Sequence, residues 1–203
     1  MPHITTASPL AVEVTRPMLL MRLGYRRPSQ VPERTARLIE EVMTQGRSLL
    51  RPRGVYTVVD AATPEPGVSL VGGTLRAASG SLHERLEGCR KAFLFAATIG
   101  EEVETWSRGL MDQEQMTRGL LADAFASSAA IALGLEMETM AGRVLAQEGL
   151  APTRRYAPGY GDWDLSDQAP LLSVLDPGRI GITLTPDFLM IPAKSISGII
   201  GGR

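Results

Sequence analysis

Cysteine and histidine are nearly missing from this sequence: Cys89 stands alone, and His3 and His83 are the only imidazoles. A single cysteine excludes an intrachain disulfide and an iron–sulfur cluster held by thiolates of this chain alone. Without a Cys/His spacing there is no ligand set for zinc. Basic residues are not in excess either. The formal net charge is −1, so the chain lacks the basic footprint that phosphate backbones require, and nucleic acid is not the expected partner. The stretch MPHITTASPLAVEV has no basic region followed by an apolar core, so no secretion signal is read there. A long charge-free apolar run is also lacking. Gly119 to Leu135 is interrupted by Asp123 and rich in Ala and Ser, which argues against a membrane span. The expected location is the cytoplasm.

What is present suits one globular domain. A hydrophobic content of 44% with 21% charged residues, over 203 residues, is enough to bury a core. Residues 1–8 read as a flexible N-terminus, and residues 9–203 as the domain. Leu10 to Val14 is a candidate strand, and Pro17 to Leu23 a short helix opened by proline. Leu38, Ile39, Val42 and Met43 give Val31 to Leu49 a helical period. Val55 to Val59 is β-branched and reads as a strand. Val68 to Val71 and Thr74 to Ala77, around Gly72-Gly73, predict a hairpin.

Ser81 with Glu84, Thr98 with Glu101 and Asp112 with Gln115 each have capping-box spacing, and so predict three helix starts. The third opens the longest helix, near 112–147, which Gly149 stops. AFLFAATI, Ala92 to Ile99, reads as a buried central strand. Leu165 to Leu175 predicts a helix; Ile180 to Thr185, Phe188 to Ile191 and Ser195 to Ile200 predict strands. Helices and strands do not alternate strictly, and the Gly-Gly pairs do not open a helix as a nucleotide loop would. The expected class is α+β: a mainly antiparallel twisted sheet flanked by helices.

Two features carry candidate chemistry. Asp123 is the only charged residue between Arg118 and Glu136, on a helix face with Ser127, Ala130 and Gly134. Burying such a carboxylate alone costs several kcal/mol, on the order of the penalty for any unpaired buried ion, so it needs a partner or a ligand. Arg154 or Arg155 would serve as a structural partner; the alternative is the polar end of a ligand. The second feature is RRYAPGYGDWDLSDQ, Arg154 to Gln168, which gathers three of the ten aromatic residues. Pro158-Gly159 and Gly161 mark turns where the backbone offers N–H and C=O groups, and an arginine fork can grip a carboxylate. Such a loop suits an adenosyl or amino-acid ligand; a stiff connection is the other reading. Asp162, Asp164 and Asp167 read as a solvated loop start with Ser166 capping the next helix, not as a metal cluster.

Arg155-Tyr156-Ala157-Pro158-Gly159-Tyr160, then Ile182-Thr183-Leu184-Thr185, then Met190-Ile191-Pro192-Ala193-Lys194-Ser195-Ile196-Ser197-Gly198 resemble the activation domain of cobalamin-dependent methionine synthase. Leu121-Ala122-Asp123-Ala124-Phe125-Ala126 resembles a further segment of that family, and the whole looks like a small standalone version. The resemblance implies a C-shaped α+β fold that binds S-adenosylmethionine. It carries the family's carboxylate-holding arginine onto Arg155, its turn backbone onto Ala157 and Gly159, its tyrosine onto Tyr160, and its glutamate onto Asp123. It also implies a corrinoid partner that carries the cobalamin, such as a methionine synthase lacking its own activation domain, and an electron donor such as flavodoxin or ferredoxin acting through the complex. The expected function is thus accessory: reductive methylation, or reactivation, of a corrinoid protein. The alternative is a non-catalytic assembly or regulatory module on such a protein. No nucleophile–base pair is visible, so no catalytic residue is assigned.

Overall fold

A computed structural model describes residues 3–73 and 75–203. Its centre is the strand β5 (Lys91–Thr98), which lies between β2 (Arg53–Glu65) and β8 (Ser195–Gly202). Beyond β2 come β3 (Val68–Val71) and β4 (Leu75–Ala78), and β1 (Thr5–Ala7) pairs with the start of β2. All these pairings are antiparallel, in register from Arg53↔Thr98 to Asp60↔Lys91 on one side of β5 and from Lys91↔Gly202 to Thr98↔Ser195 on the other. The expected α+β class and central strand are what the structure has.

Why β5 reads as an unbroken apolar run follows from what covers it. Successive side chains point to opposite faces, so a strand covered on one face alternates and one covered on both does not. Phe93, Phe95 and Ala97 join the core formed with α1 (Arg16–Arg22), α2 (Glu33–Leu49), α4 (Glu102–Asp112) and α5 (Met116–Ala146). Ala92, Leu94 and Ala96 join a second core, with α3 (Gly80–Leu86), α6 (Gln168–Leu175) and Trp163. By length and composition α5 could cross a membrane; here most of its most apolar stretch is buried inside the domain.

The structure differs from the sequence expectation mainly at element ends. Residues 1–8 were expected to fray, yet Thr5–Ala7 pair with Gly54 to Tyr56, and the Thr57 hydroxyl donates to the His3 carbonyl at 2.9 Å. Leu10 to Val14 forms no strand; Leu10 and Val14 are buried as single anchors under the helices. None of the three capping boxes forms. Ser79, not Ser81, caps α3. Glu101, not Thr98, precedes α4, and Thr98 instead accepts from the Gly100 N–H. Asp112 ends α4, and Glu114, in the left-handed region at φ 61°, separates it from α5. The hairpin of β3 and β4 forms, with Thr74 outside the described residues. Between α6 and β8 the β content shrinks to a two-residue pairing of β6 (Thr183–Leu184) with β7 (Met190–Ile191).

Candidate functional site

The loop Arg154 to Gln168 lies along β8. Tyr156 and Ile199 exchange both backbone hydrogen bonds, at 3.0 and 2.8 Å. Gly198 permits this approach, since a Cβ there would stand 2.9 Å from the Tyr156 carbonyl oxygen. Three contacts of Tyr156 then stiffen the loop. Tyr156 stacks on the buried Trp163 at 5.9 Å, its other neighbour is the Arg85 guanidinium 4.5 Å from the ring centroid, and its hydroxyl donates to the Tyr160 carbonyl at 2.8 Å. Such stacked and cation–π contacts each add a modest stabilisation to the area they bury.

The three aspartates of the loop go separate ways. Asp162 accepts from the Ser79 hydroxyl and the Gly80 N–H, both at 2.7 Å, and from the Ser81 N–H at 3.2 Å, and so pins the loop to the start of α3. Asp164, and not Ser166 as expected, provides the cap before α6, accepting from the Ser166 N–H at 2.8 Å. Asp167 accepts from the Trp163 indole at 2.7 Å. Hydrogen bonds from Ser79, then Ser81 and Gly80, hold the Asp162 carboxyl down at about 2. A depressed carboxylate contributes stability above its unfolded pKa and loses it as pH falls through the folded one. The stability difference between the wild type and Asp162→Asn should therefore be constant above about pH 5 and shrink between about pH 4 and pH 2, the window between an ordinary aspartate pKa and the depressed one. Urea unfolding of both proteins across that range reads it directly.

Between this loop, β8 and the β6–β7 hairpin lies a cleft of about 230 Å³. Arg155, Ala157 and Tyr160 border it, with Gln168, Phe188 and Met190 among the facing residues. The Gln168 amide oxygen accepts from the buried Ser197 hydroxyl at 3.0 Å, which fixes the cleft floor. Arg155 lies flat against α5: a Cβ at Gly134 would stand 2.7 Å from its Nη1. Its Nε pairs with Glu138 at 3.0 Å, and among the described residues its two Nη atoms have no hydrogen-bond partner.

Asp123 is not buried alone. Its side chain is 50% exposed and pairs with Lys194 at 2.9 Å; neither Arg154 nor Arg155 is its partner. Lys194 also donates to Ser127 Oγ at 2.9 Å. Asp123 does not border the cleft, and neither does Gly159. Gly159, at φ +86°, shapes the turn, and its N–H is already bonded to the Trp163 carbonyl at 2.8 Å. The Tyr160 N–H is likewise taken by the Ala157 carbonyl, so much of the backbone expected to be open to a ligand is bonded within the loop. Tyr160 is 64% exposed at the rim.

Sequence reasoning missed Glu138 and Lys194 as partners, and Phe188 and Met190 as cleft walls. Helical spacing offered a signal for the first. Asp123, Ser127, Gly134 and Glu138 share one face of α5, so two ion pairs, Asp123–Lys194 and Glu138–Arg155, stand on that face. The walls came from a segment read as a strand.

The family model for the activation domain of vitamin B12-dependent methionine synthase matches residues 87–203, more than half of the chain. The chain belongs to this family. A solved structure, the MetH reactivation domain bound to AdoHcy, shares the fold of this activation-domain protein, with a TM-score of 0.70 and 17% identity over 98% of this chain and 78% of that one. Among curated proteins none matches the sequence. Both arginine and loop lie within the residues that define the activation-domain family, as do α5 and β8.

Proposed function

We propose that this activation-domain protein binds S-adenosylmethionine and presents it to a corrinoid partner for reductive reactivation. The observation that carries the reading is the cleft itself: a partly buried arginine, its Nη atoms without a hydrogen-bond partner among the described residues, borders a trough with apolar side chains in its walls. The Arg155 side chain is 29% exposed. That arrangement fits a ligand with a carboxylate at one end and a flat or apolar body, because a guanidinium matches a carboxylate bidentately. In the neighbouring fold the bound molecule is AdoHcy, which supports the same class of ligand.

When bound, S-adenosylmethionine would supply a methyl group activated by its sulfonium to the partner's corrinoid, which the electron donor would reduce, and would be left as S-adenosylhomocysteine. The chain's own residues bind and orient. Arg155 holds the carboxylate, Ala157 and Gly159 set the turn that lets the ligand approach, Tyr160 covers the rim, and Asp123, outside the cleft, holds Lys194 next to the cleft residue Ser195. Positioning of this kind converts an encounter into a step within one complex. The protein provides no methyl acceptor of its own: Cys89 is buried, and burial pushes its thiol up, away from the nucleophilic thiolate. The partner is a corrinoid protein or a methionine synthase without its own activation domain, and the electron donor, a flavodoxin or ferredoxin, acts through the complex in the cytoplasm.

The test combines binding with turnover. Calorimetric titration should show S-adenosylmethionine binding by the isolated protein, with no consumption of it over hours. Consumption should begin when a cobalamin-loaded partner and a low-potential reductant are both added. No heat of binding, or turnover without any corrinoid, would overturn the reading. Binding with no response from any corrinoid protein of the same cell would favour a non-catalytic module.

A further inference from the structure

The charge of this chain is unevenly placed. Residues 14–37 hold six arginines and one glutamate, a net charge of +5 in a chain of net −1, so the remainder carries −6. This stretch precedes the residues matched by the family model. It comprises α1, the turn after it and the start of α2. Three of the nearby acidic groups are already engaged: Glu40 pairs with Arg16 at 2.9 Å, Glu33 with Arg37, and Glu41 with Arg118 at 3.2 Å, while Glu13 and Glu136 lie beside Met18 and do not line the apolar cleft described next. Among the described residues Arg22, Arg26, Arg27 and Arg34 make no ion pair, and all four are exposed.

These arginines surround an apolar depression. Pro17, Leu20, Met21, Tyr25 and Pro28 line an open cleft of about 700 Å³, with Arg16 and Arg26 at its edge. Among the described residues Met21, at 75%, is the most exposed large apolar side chain, and it stands with other apolar residues at the edge of a cleft, not singly. The surface is also held in shape. The Gln30 side-chain carbonyl accepts from the N–H groups of both Arg26 and Arg27 at 3.1 Å, and the Tyr25 N–H returns to the Leu20 carbonyl at 2.9 Å. The two arginines therefore project from a hydrogen-bonded turn.

We infer that this face docks an acidic protein partner, whose carboxylates meet Arg22, Arg26, Arg27 and Arg34 while one of its apolar side chains fills the cleft beside Met21. Charge complementarity names the occupant, since arginine forks match carboxylates and opposite potentials steer association. The shape decides between anionic partners. A lipid surface is met by a protruding apolar edge, whereas a concave cleft takes a side chain. An extended polyanion would also face the −6 of the remaining surface, while a compact acidic protein need touch only the patch.

The probe is a short labelled Asp/Glu peptide with one central phenylalanine, compared with the same peptide carrying alanine, by fluorescence anisotropy with the full chain. The phenylalanine peptide should bind severalfold more tightly, and affinity should fall as salt rises. Joint replacement Arg22→Glu, Arg26→Glu and Arg27→Glu should weaken it at least about tenfold, the loss expected for removing one or more charge-assisted contacts. A variant of equal net charge, with the exposed Arg76, Arg90 and Arg143 changed to Glu, should bind nearly as wild type. Met21→Ala should erase the preference for phenylalanine and leave the salt dependence. Thermal melting of each variant checks that it is folded. Equal loss in both triple variants, no preference for phenylalanine, or no binding would overturn the inference. Tighter binding to phosphatidylglycerol vesicles or to a DNA duplex than to the peptide would replace it with an anionic surface of another class.

Discussion

Arg155→Ala is expected to weaken S-adenosylmethionine binding by roughly 10- to 150-fold, the equivalent of about 1.5–3 kcal/mol for charge-assisted hydrogen bonds to a carboxylate. The thermal midpoint should move little. Glu138, which loses its partner, is 39% exposed and can turn to water, so no buried charge is stranded. Gly134→Ala sharpens the test. Its Cβ would fall 2.7 Å from Arg155 Nη1, while alanine favours the helix by about 1 kcal/mol over glycine. The guanidinium must shift, so affinity should drop in a protein at least as stable as the wild type. Calorimetric titration beside thermal melting separates the two quantities. Wild-type affinity in Arg155→Ala would remove this residue from the site.

Trp163→Ala should be the most destabilising change in the loop, by about 3–5 kcal/mol as for other buried large aromatics. Trp163 is 1% exposed, stacks on Tyr156 and donates to Asp167. Its loss opens a cavity in the second core and frees Tyr156, and with it the bond to the Tyr160 carbonyl that shapes the rim of the cleft. Urea unfolding should show the loss in midpoint with little change in slope. A cost below about 1 kcal/mol, the scale of an ordinary surface substitution, would mean the loop does not depend on this stack.

How much of this was legible beforehand varies with the physics involved. β5 could be read because its composition reports burial on both faces, and α2 because its period does. The capping boxes misled because Ser, Thr and Asp serve turns as readily as helix starts: Thr98 bonds to Gly100, and Asp162, 82 residues beyond Gly80, holds the N-terminus of α3. Asp123 stood out by its apolar surroundings in sequence, but in the structure its side chain is half exposed and paired. Its partner, Lys194, is more than seventy residues distant, and no local pattern discloses such a pairing. The loop motif and the arginine were visible as chemistry. That the turn bonds to itself, leaving Arg155 and the side-chain walls to define the cleft, depends on how β8 and α5 converge on it.

The tie between Asp162 and α3 has a kinetic meaning. A seven-residue helix on its own is far too short to persist in water, so α3 should exchange its amide hydrogens quickly. Here the amides of Gly80 and Ser81 are closed by the same segment whose Gly159 and Trp163 amides close the turn beside the cleft. Helix and loop are expected to open together as one cooperative unit, which hydrogen exchange would show as a shared free energy of opening. A molecule that settles in the cleft and quiets the loop will therefore slow isotope exchange in a helix it never touches.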